Sequence, residues 1–238
     1  MTEYIIHPLV VGVNATDQGV MTYLKGYGKR IWLPIYVFYL EGGKENILVD
    51  TGLEQFVTPP EVEAQYGFRV QEFEEALASY GLAPEDIDII IHTHLHNDHC
   101  ENDYKCTEAR VYVQKREYEF FRNPHPADHR YFPDLLDDNE VVLLDGDQEV
   151  VDGIRVIVTP GHTVGGQSIM VNTRQGRAVI TGFCCNDQNF PAVGPVVPPG
   201  VHLNLLEAYD SAHKVKELAD ILIPLHDLSI GRSRSIPA

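Results

Sequence analysis

Four histidines and one aspartate fall within eight consecutive positions of this chain, in Ile91-His92-Thr93-His94-Leu95-His96-Asn97-Asp98-His99. Imidazoles gathered so closely repel one another when protonated and are costly to bury. A metal ion removes both problems, because it bonds the neutral ring. In an extended backbone His94 and His96 point to the same side. If the chain then turns into a helix, Asp98 and His99 swing toward a second ion nearby. Asp98 supplies a hard oxygen, and imidazole suits zinc, iron or manganese. His92 reads as support or packing rather than as a ligand.

Two further histidines sit where they can join such a site. Thr159-Pro160-Gly161-His162-Thr163 places one in a Pro-Gly turn after a strand. Pro224-Leu225-His226-Asp227 places another just beyond an apolar run. With the cluster they supply enough ligands for two divalent ions, zinc first, with iron or manganese as alternatives.

The 238 residues are 44% hydrophobic, enough for one core, so a single domain over 1–238 is expected. The net charge of -17 repels phosphates, which argues against nucleic acid and anionic membranes as partners and leaves a small-molecule substrate. A homo-oligomer stays open. Met1-Thr-Glu-Tyr-Ile-Ile-His-Pro has neither a basic region nor a long apolar one, and a cytoplasmic location is the expectation. Cys100, Cys106, Cys184 and Cys185 lack Cys-x-x-Cys spacing, so reduced thiols are expected.

Strands are expected at Tyr4–Val11, Leu33–Leu40, Asn46–Val49, Ile87–Ile91 and Arg110–Val113. More follow at Val141–Leu144, Ile154–Thr159, Gln167–Val171, Ala178–Thr181 and Ile221–Leu225. Helical spacing appears at Val70–Tyr80, Lys115–Phe121 and Leu205–Leu218. Strands interspersed with helices predict an α/β layered fold with the site on loops at strand ends. Val13–Gly28 and Asn123–Pro133 read as long loops that set specificity, with Tyr23, Tyr27 and His125 as candidates.

His94, His96, Asp98 and His99 form a His-x-His-x-Asp-His signature, and the chain resembles the metallo-β-lactamase superfamily. Within it the chain looks most like the N-acyl-homoserine lactonases. That likeness rests on Leu33-Pro-Ile, Ile47-Leu-Val-Asp50-Thr-Gly, Val113-Gln114 with Glu117-Tyr118, Pro160-Gly-His162-Thr, Gly166-Gln-Ser and His226-Asp227. The resemblance implies an αββα sandwich with the site along one edge. It implies that His94, His96 and His162 hold one metal, and that Asp98, His99 and His226 hold the other. It makes Asp50 a carboxylate that orients a ligand histidine.

One position departs from the family. The aspartate that bridges the two metals falls at Phe183, which cannot bind a metal, and Cys184-Cys185-Asn186-Asp187 follow. Cys184 or Cys185 supplies a thiolate, Asp187 reaches back, or the bridge is missing; Cys184 is the preferred reading. A lactonase tyrosine is replaced by Asn186, whose amide can still donate to an oxyanion. The function implied is hydrolysis of a small lactone, ester or amide by metal-activated hydroxide, with Asp98 passing a proton to the leaving group. The alternatives are an iron-dependent redox enzyme of the same fold, a thioester hydrolase resembling glyoxalase II, and a metal-binding scaffold without turnover.

Overall fold

The computed structural model describes residues 1–54 and 59–237. Among them, eleven strands form two sheets. The first sheet runs β1 (Ile5–Asp17), β2 (Arg30–Glu41), β3 (Ile47–Val49), β4 (Ile89–Ile91), β5 (Arg110–Gln114) and β6 (Glu140–Leu144), in that spatial order. The second runs β11 (Ile221–Ile223), β10 (Gly176–Ile180), β9 (Gln167–Thr173), β8 (Ile154–Val158) and β7 (Gln148–Val151). Helices α1 (Gln18–Met21), α2 (Pro60–Tyr66), α3 (Phe73–Ala78), α4 (Asn97–Cys100), α5 (Lys115–Arg122) and α6 (Leu205–Leu218) complete it.

The strands alternate between two cores, which explains their unbroken apolar runs. In β2, Tyr36, Phe38 and Leu40 face the second sheet, where they meet Ile154, Val156, Ile169 and Ile180. Ile35, Val37 and Tyr39 face the other way, toward Phe73 and Leu77 of α3 and Phe121 of α5. On the far side Val179 packs against Ala212 and Val215 of α6. The order is helix, sheet, sheet, helix, the αββα sandwich that the resemblance implied.

Several boundaries differ from expectation, each for a local reason. β1 does not stop before Gly12 but runs to Asp17, because a bulge between Val10 and Gly12 absorbs the break and pairing with β2 resumes. Val13–Asp17 is therefore strand, not loop. The helix expected from Val70 begins at Phe73, because the Gln71 amide is taken by the Val10 carbonyl of β1. β4 starts at Ile89, after a 3-10 turn over Pro84–Asp86. β11 ends at Ile223, and the Leu225 amide turns instead to the Thr181 hydroxyl. Among the described residues, no helix is long and apolar enough to cross a membrane.

β3, β4, β5 and β6 are parallel, so the loops that follow β3, β4 and β5 leave one edge together. The loops after β8, β10 and β11 reach the same edge. Gln167 ties the two sheets there: its amide N–H donates to Thr93 O at 2.9 Å and its Nε2 to His92 O at 2.7 Å.

Candidate metal centre

The loop after β4 carries His92 to His96, and α4 opens with Asn97 and Asp98 and presents His99 one turn on. The loops after β8 and β11 bring His162 and His226 beside it. Two groups result: His94, His96 and His162, and Asp98, His99 and His226, with the offered ligand atoms of each group within 4.8 Å of one another. The groups touch, since the rings of His94 and His99 are 4.1 Å apart. Both face one cavity of about 500 Å³.

Each imidazole is tied by one nitrogen, which leaves the other for the cavity. Nδ1 of His162 donates to Val201 O at 2.7 Å, and Nδ1 of His226 to Pro34 O at 2.9 Å. Nδ1 of His99 donates to Asp50 Oδ2 at 2.8 Å, and Nδ1 of His94 meets the Thr93 hydroxyl at 3.1 Å. His96 is tied by the opposite atom, Nε2, which lies 3.4 Å from Asp128 Oδ2. Nε2 of His94 is buried and has no hydrogen-bond partner. A buried, unpartnered nitrogen amid imidazoles held at their far ends is what an ion needs, so these residues fit a metal site.

The electrostatics agree. Burial and the neighbouring histidines hold His94 and His162 well below the ordinary range. Burial also lowers His96, and with His99 brings His226 down to about 4. Those four rings are neutral near pH 7, the form that binds metal. For His99 burial acts downward, but Asp98 and Asp50 outweigh it and raise the ring.

Asp50 follows β3 directly with φ 58, a left-handed conformation that Asp tolerates better than most residues. Its carboxylate is fully buried, yet the adjacent imidazoles of His99 and His92 hold it below the usual carboxylate range. The Thr93 amide and hydroxyl also donate to it, at 2.8 and 2.7 Å. His92 does not face the cavity; it lies between Asp50 and Asp103. Burial opposes its charge, but Asp103 and then Asp50 outweigh that, and His92 is pushed up to about 10.

The sequence did not reveal two carboxylates that brace this centre. Glu117 of α5 is fully buried: Oε1 accepts from the Leu95 amide and the Tyr131 hydroxyl, and Oε2 from the Gly165 amide. It joins the His94–His96 loop to the loop of His162. Asp128 holds His96 and is itself gripped by Arg130 through Nε at 2.7 Å and Nη2 at 2.6 Å. In the sequence, Glu117 is one of two acids in a polar helix and Asp128 one of several polar residues in the Asn123–Pro133 loop.

Around Phe183 the side chains separate. Phe183 packs in the core beneath α6, beside Val196 and Val215. Cys185 turns to the same core, with its sulfur 3.0 Å from the Thr181 hydroxyl, and burial pushes its thiol up to about 12. Asp187 is exposed, and its amide meets Asp227. Cys184 lines the metal cavity, 3.4 Å from the Met21 sulfur, and burial raises its thiol. All four cysteines are free thiols.

The structure does not bring Asn186 to this cavity. Its Nδ2 donates to Gln18 Oε1 and its Oδ1 accepts from the Gln188 amide, so its amide caps a 3-10 turn in the wall of a neighbouring cleft. Tyr23 stacks edge-on against His202, Tyr27 is exposed, and His125 accepts from the Ala127 amide. These two segments reach the metal cavity through other residues, Val20 of α1 and Ala127 to Arg130.

The chain is similar to known proteins. An N-acyl homoserine lactonase of Bacillus thuringiensis is 33% identical over 166 residues, a stretch that spans 64% of this chain and 64% of the lactonase. A probable metallo-hydrolase of Methanocaldococcus jannaschii is 28% identical over 153 residues, 64% of this chain and 63% of its own. The crystal structure of a B. thuringiensis lactonase variant with N-decanoyl-L-homoserine at its active site superposes with a TM-score of 0.77 at 26% identity, covering 95% of this chain and 94% of that one. The profile of the metallo-beta-lactamase superfamily matches residues 30–182, and the chain belongs to that superfamily.

Proposed function

We propose that the protein is a metal-dependent hydrolase that opens a lactone or a small carboxylic ester. The observation that carries this reading is the pair of touching ligand groups, every imidazole of which is held by its far nitrogen. His94, His96 and His162 would hold one divalent ion, and Asp98, His99 and His226 the other. Zinc is the first choice. The lactonase likeness favours a cyclic ester over other carbonyl substrates.

When bound, such ions lower the pKa of water toward about 7 and polarise a carbonyl. The protein's own groups do the rest. Val20, Leu33, Val201 and Leu203 give the cavity an apolar wall that excludes water and suits a hydrocarbon portion of the substrate. The Asp98 side chain is 24% exposed, 3.6 Å from His99 Nε2. With one carboxylate oxygen engaged, the other can carry a proton to the leaving oxygen. Cys184 would be the side chain to stand in for the family's aspartate, because it lines the cavity while Phe183 and Cys185 pack in the core and Asp187 is exposed. A cobalt-loaded protein should then show a sulfur-to-metal charge-transfer band that Cys184→Ser abolishes.

The test is turnover of a lactone and ester panel by wild type, His96→Ala and Asp98→Asn, with metal content measured alongside. The wild type should bind two ions and open lactones, and both variants should fall to the uncatalysed rate. Wild-type turnover in both variants would sink the proposal.

A further inference from the structure

A line of buried polar side chains runs from the second ligand group into the protein. His99 Nδ1 donates to Asp50 Oδ2 at 2.8 Å. His92 Nδ1 lies 3.3 Å from Asp50 Oδ1, and its Nε2 donates to Asp103 Oδ2 at 2.6 Å. Thr51 anchors the far end by donating to Asp103 Oδ1. Asp50, His92 and Asp103 all have fully buried side chains. Ionisable groups so placed cost several kcal/mol unless each is matched by a partner. Neither His92 nor Asp103 lines the metal cavity.

We propose that His92 and Asp103 form a positioning pair: they fix the rotation of the Asp50 carboxylate, which aims His99, and so set how tightly the Asp98–His99–His226 group holds its ion. The inference rests on the reading that both groups bind metal. The effect falls on the second group because Asp50 is the sole hydrogen-bond partner of His99 Nδ1 among the described residues. His94 is reached from Asp50 only through Thr93, whose amide and hydroxyl both donate to that carboxylate. Thr93 has a further anchor away from Asp50, since its carbonyl accepts from the Gln167 amide.

Zinc titration of the metal-free protein against a chromophoric chelator tests this without reading turnover. His162→Ala leaves only the second group complete, and His226→Ala only the first. Asp103→Asn should weaken zinc about 10–100-fold in the His162→Ala background and leave it unchanged in the His226→Ala background. Adding Asp103→Asn to His92→Gln should cause no further loss, because the two act in series. Equal weakening in both backgrounds, weakening in neither, or additive losses would overturn the proposal. If Asp103→Asn fails to fold, His92→Gln alone gives the same comparison, because His92 is the link between Asp103 and Asp50. A wild type that takes up no zinc would overturn the metal reading, and this pair with it. A wild type that binds two ions but hydrolyses nothing would overturn the hydrolase reading alone.

Discussion

Nε2 of His96 lies 3.4 Å from Oδ2 of Asp128, so a loop residue, not a scaffold strand, aims this ligand. Asp128 is itself locked by Arg130. Asp128→Ala frees the His96 ring and should weaken the ion of the first group about 10–100-fold, as loss of such partners does elsewhere. Chelator competition checks it; an unchanged affinity would show that the contact is incidental.

Glu117→Gln separates charge from shape. The amide can keep one acceptor oxygen, but its NH2 then faces either the Leu95 or the Gly165 N–H. One buried donor loses its partner, which costs about 1–3 kcal/mol. The denaturation midpoint of the metal-free variant should fall accordingly. A midpoint equal to wild type would mean that water replaces the lost acceptor.

Gly161 has φ +118, and an added Cβ would lie 2.1 Å from the Ala208 nitrogen of α6. Its carbonyl also accepts from the Leu203 and Asn204 amides just before that helix. Gly161→Ala therefore strains the backbone by about 1–3 kcal/mol and pushes α6 away from the His162 loop. Lower melting temperature and weaker zinc binding in the first group should appear together. Loss of stability with zinc affinity intact would show that His162 is held independently of this turn.

Chelation should destabilise the protein without unfolding it outright, because the two cores are apolar and complete without ions. At free metal 100-fold above its dissociation constant, each ion adds about 2.7 kcal/mol. Calorimetry with and without chelator should show a drop of several degrees. Identical melting curves would mean that the ions bind the unfolded chain as well as the folded one.

The sequence showed the ligands because coordination demands particular residue types close together. His94 to His99 needs only a strand end and one helical turn, so its meaning is local. Strands were legible because Leu33–Leu40 of β2 and Ala178–Ile180 of β10 are buried on both faces and apolar. What escaped depends on distant partners. Nothing in Lys115-Arg-Glu-Tyr-Glu distinguishes buried Glu117 from exposed Glu119. His92 and Asp103 sit eleven residues apart, and only the fold of the intervening turns makes them neighbours. Gly12 reads as a break, yet pairing with β2 carries the strand past it.

The bond from His226 to the Pro34 carbonyl joins residues 192 apart in the chain. It forms only after β2 and the segment following β11 have been brought to one edge. Contacts of such separation come late and slowly in folding. The second ligand group is therefore a clock for assembly. An ion captured there during refolding, followed by stopped flow, would time the moment when the two halves of the sandwich close.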